Sequence, residues 1–212
     1  MLIQSEVQEL AERMAKLTSY DEAWMTGLEI QSYGPQGVHA FHEVLQNGTL
    51  IARRAAAFWL SDEAEIVPPH IFLEMAEDSD SEIRFHAAYC LGYIKDENTV
   101  PTLRKLMFQD ASEEVRQTAA QSLYAAGKLN GRLDAVLEDY QKALAQDQSA
   151  MVREEAVTSL ANFLKSPNVH RAIALLEKAL HDSSQLVREQ AKISLSVLRN
   201  ESWNDETLVR LK

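Results

Sequence analysis

Two small groups of side chains in this sequence have types and a spacing that metal binding could use. His86 and Cys90 stand four residues apart, and the stretch "VHAFHE" places His39, His42 and Glu43 near one helical face. Two ligands do not make a zinc site, and the His-Glu-x-x-His order of helical zinc enzymes is missing. A glycine-rich phosphate loop, a nucleophile elbow and a paired-carboxylate motif are also missing. The sequence therefore predicts no catalytic residue and no metal, and it favours a protein that is not an enzyme.

The elements that would position these side chains belong to an internal repeat. Five arginines share the same surroundings, with an alanine three residues later and a leucine seven residues later: Arg53, Arg84, Arg116, Arg153 and Arg188. Successive arginines in this set are 31, 32, 37 and 35 residues apart. An apolar residue precedes each arginine. Because these offsets follow the helical period, they predict one buried stripe on each of five helices.

The residues before each arginine predict a turn and a helix start. Asn or Asp stands six residues before it, and Thr, Ser or Asp stands four before it, where an N-cap side chain satisfies a first-turn N–H. An arginine in the first turns of the second helix can reach the aspartate of an adjacent repeat, and the two charged groups are then expected to lie within about 4 Å of each other. The expected ladder consists of Asp78, Arg84, Asp110, Arg116, Asp147, Arg153, Asp182 and Arg188.

Each capped helix follows another amphipathic segment, so the repeating unit is a helix pair. We expect a divergent pair in residues 1–34, five repeats in 35–199 and a short C-terminal capping helix in 200–212. Since no proline- or glycine-rich linker divides the chain, residues 1–212 are expected to form a single domain.

The copies "DASEEVRQTAAQSL" and "DQSAMVREEAVTSL" resemble HEAT repeats, most closely the bacterial bilin-lyase type, also called PBS lyase HEAT-like repeats. The resemblance implies an all-α, right-handed α-solenoid of about five to six helix pairs, whose second helices line a concave face. Such repeats occur in adaptors, bilin lyase subunits, phycobilisome-associated factors, deoxyhypusine hydroxylases and DNA glycosylases. Two of these classes lose support. The hydroxylases have His-Glu pairs after the arginine, which are missing here, and the glycosylases need a basic concave surface, whereas this chain is acidic.

The composition restricts partners and location. A formal net charge of −11 disfavours nucleic acid and anionic membranes, and it is compatible with a basic protein partner. One cysteine cannot form an internal disulfide, the first residues lack the basic start and continuous apolar stretch of a signal peptide, and no run approaches the roughly 18 apolar residues of a membrane span. We therefore expect a cytoplasmic protein.

The unshared positions of the second helices are the candidate partner-binding surface. They are aromatic in the first repeats and acidic in the last: Arg54, Phe58, Trp59, Phe85, His86, Tyr89, Tyr93, Gln117, Gln121, Glu154, Glu155 and Glu189. Aromatic side chains with an exposed edge are typical anchors of interfaces. The alternative is that the N-terminal helix pair covers these aromatics as core.

The favoured function is a non-catalytic scaffold that docks a protein partner on the concave face, without a cofactor. The repeat resemblance implies one alternative, a bilin lyase or phycobilisome-associated factor, in which Arg53 or Arg54 would hold the propionates of a bilin. The net charge motivates another, an acidic inhibitor of a basic toxin or nuclease.

Overall fold

The structure, a computed structural model, describes the backbone of residues 2–210 and the side chains of residues 4–199. The described chain is all-α and contains no strand, which confirms the predicted class. Its helices are α1 (Leu2–Ala15), α2 (Tyr20–Gln31), α3 (Pro35–Asn47), α4 (Leu50–Asp62), α5 (Pro69–Met75), α6 (Ser81–Leu91), α7 (Thr99–Gln109), α8 (Glu113–Leu129), α9 (Leu133–Gln146), α10 (Ala150–Leu160), α11 (Val169–Ala179) and α12 (Gln185–Arg210). A 3₁₀ turn, Ala161–Lys165, follows α10.

The helix starts follow the repeated turn chemistry. The side chains of Thr49, Ser112 and Ser149 each accept a hydrogen bond from a first-turn N–H of α4, α8 and α10, as the N-cap positions predict. The aspartate two residues before each cap residue accepts a hydrogen bond from the backbone N–H of that cap residue. Asp147 Oδ1, for example, accepts from Ser149 N at 2.8 Å, and the same bond is formed at Asp78, Asp110 and Asp182. These bonds are local, so a short sequence pattern is enough to fix where each second helix begins.

The chain divides into two compact units, Met1–Leu91 and Gly92–Lys212. In the first unit α1 packs against α3, and the second helices α2, α4 and α6 lie side by side. Ala52, Ala55 and Ala56 of α4 are fully buried, and side chains this small let packed helices approach closely.

One glycine makes the contact between α2 and α4 possible. A Cβ atom added to Gly27 would lie 2.0 Å from Nε1 and 2.3 Å from Cδ1 of the Trp59 indole. Both distances are far below van der Waals contact, so the Trp59 ring occupies the space that any side chain on Gly27 would need.

In the second unit α8, α10 and α12 form the row of second helices, and α9 packs against α10. Tyr140 and Phe163 are fully buried at its centre. The Tyr140 hydroxyl donates to the Ala120 carbonyl at 2.9 Å, so the buried phenol is satisfied.

The C-terminal segment differs in detail from the expectation. We expected a separate capping helix in residues 200–212, but α12 continues without interruption to Arg210. Side chains beyond residue 199 lie outside the described part of the chain. Among the described helices, none is long and apolar enough to cross a bilayer.

Candidate binding surface

Five aromatic side chains form a continuous row across α2, α4 and α6, which we call the aromatic row: Tyr20, Trp24, Phe58, His86 and Phe85. The ring centroids of Tyr20 and Trp24 are 6.0 Å apart, and those of Trp24 and Phe58 are 4.4 Å apart. Phe58 meets His86 edge to face at 6.0 Å, and His86 meets Phe85 at 5.5 Å. These separations are those of favourable aromatic pairs, so the rings hold one another in place.

The aromatic side chains predicted for the binding surface differ in their exposure to solvent. Trp59 is only 5% exposed and packs against Trp24 at 4.8 Å, so its place in the predicted binding surface was wrong. The reason is that α2 covers it. Phe58, Phe85 and His86 are half-buried, and Tyr89, one turn beyond Phe85, is 46% exposed.

Two members of the row were missed by sequence reasoning. Tyr20, which is 47% exposed, and Trp24 lie on α2, which lacks the arginine-alanine-leucine pattern of the later repeats. The available signal was the i, i+4 spacing of two aromatics in the N-terminal pair.

The side chains first considered for metal binding are engaged otherwise. Burial lowers the pKa of His86 and raises the pKa of the Cys90 thiol to about 11. His42 Nε2 lies 2.7 Å from Glu74 Oε2, and His39 Nε2 lies 3.5 Å from Glu43 Oε1. Among the described residues, no three His, Cys, Asp or Glu side chains come together as a metal site.

Arg54, on the same face, is fully engaged by carboxylates. Its Nε and Nη2 donate to the two oxygens of Asp80 at 3.0 and 2.7 Å, and its Nη1 lies 3.0 Å from Glu82 Oε2. The hydrogen bond from Arg54 lowers the pKa of Asp80, against the opposing effect of burial. The cation therefore holds α4 to the start of α6 and is already neutralised.

Arginine–aspartate pairs of the expected kind are formed within each unit. Arg53 pairs with Asp78 in the first unit. In the second, Arg116 Nε lies 3.3 Å from Asp147 Oδ2, and Arg153 Nε lies 2.8 Å from Asp182 Oδ2.

Four ladder arginines also bind the turn before their own helices: Arg84, Arg116, Arg153 and Arg188. In each, Nη1 donates to the carbonyl oxygen of the aspartate six residues earlier, at 2.8 Å from Arg84 to Asp78 and at 2.7 Å from Arg188 to Asp182. Asp110 Oδ1 accepts the N–H of its cap residue. One side chain thus fixes its own turn while reaching the next repeat.

The remaining candidates lie in the second unit, where the acidic ones have local partners. Glu154 and Glu155 are half-buried and accept from the hydroxyls of residues 158 and 159, and burial raises the pKa of Glu155. Glu189 Oε1 lies 2.9 Å from Lys192 Nζ. Three uncharged candidates complete the set: Tyr93 (67% exposed), Gln117 (half-buried) and Gln121 (exposed).

Charge is distributed unevenly between the units. Residues 1–91 contain fifteen Asp and Glu against five Lys and Arg, whereas residues 92–212 contain seventeen against sixteen. Ten of the eleven net negative charges therefore belong to the unit that carries the aromatic row.

Comparison with known proteins supports the repeat assignment. Residues 69–160 match the model of the HEAT repeats family. No curated protein sequence matches the chain significantly.

Solved structures resemble the fold. The complex of CpcE and CpcF of phycocyanin lyase from Nostoc sp. PCC7120 has 19% identity and a TM-score of 0.60, over 74% of this chain and 96% of that one. An engineered protein has 19% identity and a TM-score of 0.57, over 92% and 97%. A designed armadillo repeat protein in complex with peptide (KR)4 has 18% identity and a TM-score of 0.54, over 92% of both chains. The resemblance to HEAT repeats seen in the sequence is thereby confirmed, by the family model over residues 69–160 and by the helical-repeat fold of the chain.

Proposed function

We propose that the protein is a non-catalytic scaffold that docks a segment of a partner protein on the solvent-exposed face of α2, α4 and α6, which carries the aromatic row. The observation that carries the proposal is the aromatic row, which crosses three helices. Tyr20 at one end of the row is 47% exposed, and Tyr89, one turn beyond Phe85 at the other end, is 46% exposed. Aromatic side chains held in place supply large contact area at low entropic cost, which is why they dominate interfaces.

The fold and the charge of the first unit support this function. Helical repeats present adjacent second helices as an extended surface. The designed armadillo repeat protein with a similar fold is in complex with peptide (KR)4. The negative charge of residues 1–91 favours a basic partner over an acidic one. An inhibitor of a basic toxin or nuclease would be one instance of such binding.

A bilin-binding role has less support from the side chains. The fold resembles a phycocyanin lyase complex, but Arg53 is paired with Asp78, and Arg54 with Asp80 and Glu82. Neither guanidinium is available for a propionate without breaking those pairs. If titration of the protein with a bilin produced no absorbance change, that result would be further evidence against a bilin-binding role.

The proposal is tested by affinity capture with the full chain, followed by mass spectrometry. Tyr20→Ala combined with Tyr89→Ala removes two exposed rings, whereas Ile66→Ala removes an exposed apolar side chain of the same unit away from the row, on the loop between α4 and α5. The captured partner should be lost with the double variant and retained with the control. Retention by the double variant, with an unchanged circular dichroism spectrum, would refute the proposal.

A further inference from the structure

Two exposed carboxylates flank the centre of the aromatic row. Asp21 precedes Trp24 by three residues on α2, and Asp62 follows Phe58 by four on α4, spacings that place each on the same helix face as its ring. Asp62 Oδ2 accepts a hydrogen bond from Gln31 Nε2 at 2.8 Å. The Trp24–Phe58 pair therefore lies between a carboxylate at one end of the helices and a carboxylate at the other.

Most positive charges of the same unit are already used internally. Of the five basic side chains in residues 1–91, all within the described range, four have assigned partners. Arg13 lies 2.9 Å from Glu29, Arg53 pairs with Asp78, Arg54 is held by Asp80 and Glu82, and Arg84 donates to backbone carbonyls. The face consequently combines exposed ring edges with uncompensated negative charge.

We infer, building on the proposed function, that the aromatic row binds an extended, arginine-bearing segment of a protein. A guanidinium would stack on the Trp24–Phe58 pair and donate to the carboxylate of Asp21 or Asp62. Arginine fits this arrangement better than lysine, because its planar, weakly hydrated cation stacks on rings and pairs with a carboxylate through two N–H groups. An acidic or phosphorylated segment would meet repulsion from the same two carboxylates.

The test is a fluorescence titration of the full chain, since Trp24 and Trp59 lie in or against the row. Three octapeptides serve as probes, alternating alanine with arginine, with lysine, or with citrulline, the uncharged analogue of arginine. The arginine peptide should bind most tightly, the lysine peptide about fivefold more weakly, and the citrulline peptide weakest of all. Binding should also weaken as salt is raised, because the charges are exposed.

Charge variants separate positioned carboxylates from general attraction. Asp21→Asn combined with Asp62→Asn should weaken the arginine peptide at least about fivefold. Glu9→Gln combined with Glu12→Gln removes the same charge from exposed positions on α1 and should change binding less than about twofold.

Equal weakening by both pairs of variants, equal affinity for the citrulline peptide, or no binding of the arginine peptide would each overturn the inference. The proposed function fails separately. A captured partner that is lost with the Tyr20 and Tyr89 substitutions, but whose binding is unchanged by Asp21→Asn and Asp62→Asn, would leave the scaffold role standing and remove the arginine-bearing ligand.

Discussion

Substitution of Asp182 by Asn in the last rung of the ladder should produce one of the larger stability losses available to a single polar change. Arg153 meets the carboxylate through two parallel bonds, Nε to Oδ2 and Nη2 to Oδ1, both 2.8 Å. The side chains are only 9% and 10% exposed. Asparagine keeps an oxygen that can accept the N–H of Ser184, so the turn survives while the charge is lost.

The magnitude follows from the burial of the pair. Removing one partner of a buried ion pair costs about 3–5 kcal/mol, because the other charge remains desolvated. Arg153 retains its bonds to the carbonyls of Asp147 and Gln148, at 2.9 and 3.2 Å, which places the expected loss near the lower end, about 3 kcal/mol. The matched control is Glu177→Gln, whose partner Arg199 lies 2.6 Å away but with both side chains about half exposed; it should cost less than about 1 kcal/mol.

Urea unfolding followed by circular dichroism at 222 nm measures both variants. With a urea dependence of about 3 kcal/mol/M for a chain of this size, Asp182→Asn should lower the midpoint by about 1 M, and Glu177→Gln by a few tenths at most. Equal midpoints for the two variants would refute the claim that the buried rung stabilises the second unit more than an exposed pair.

The pH dependence supplies a second test of the same rung. The hydrogen bond from Arg153 lowers the pKa of Asp182 below its ordinary value of 3.8. Its stabilising contribution is therefore complete above the unfolded pKa and is lost as pH falls through the lower, folded pKa. The stability gap between wild type and Asp182→Asn should be constant near neutrality and shrink below about pH 4. A gap that persists at pH 2 in a still-folded protein would contradict this account.

Three further perturbations test the packing. Gly27→Ala should cost about 1–3 kcal/mol in urea unfolding and change the near-ultraviolet dichroism of tryptophan, because its Cβ collides with Trp59; an unchanged spectrum would show that the contact is not tight. Tyr140→Phe should cost about 1 kcal/mol by removing the buried hydroxyl's bond to the Ala120 carbonyl, and a neutral substitution would mean that this bond adds nothing to stability. Cys90, with its pKa raised to about 11, should react with a disulfide reagent at pH 8 about 100-fold more slowly than in urea; equal rates would show an open site.

Local chemistry explains what the sequence could predict. The caps Thr49, Ser112 and Ser149 and the stripe of alanine and leucine lie within one helix turn or one helix face of the repeated arginine. The pairs Arg116–Asp147 and Arg153–Asp182 also followed from sequence, because each repeat places its arginine and aspartate at the same positions. Because a periodic sequence repeats its contacts, the hydrogen bonds predicted for one inter-helix turn apply to the equivalent turns of the other repeats.

The aromatic row could be predicted only in part, because it depends on a contact between unlike helices. Phe58, Phe85 and His86 were found from their position on the second helices, but Trp59 was placed on the surface. Trp59 is covered by Trp24, which lies thirty-five positions earlier on a helix without the repeat pattern. That helix, α2, can pack against the Trp59 ring because residue 27 is a glycine. Pairings of this kind depend on which residue faces which across two helices, and no local pattern reports that.

The covering of Trp59 also bears on how the face could bind. A single exposed tryptophan would lose side-chain freedom when it docked, at about 0.5–1.5 kcal/mol for each side chain immobilised. In the row that ordering has already occurred, since Trp24 is held between Tyr20 on one side and Phe58 and Trp59 on the other. The N-terminal helix pair thus buries one aromatic ring and, by the same contacts, fixes its neighbours with their edges outward. We therefore expect substitutions that loosen Trp24, such as Gly27→Ala, to weaken partner binding beyond their effect on stability, whereas Tyr140→Phe in the second unit should affect stability alone.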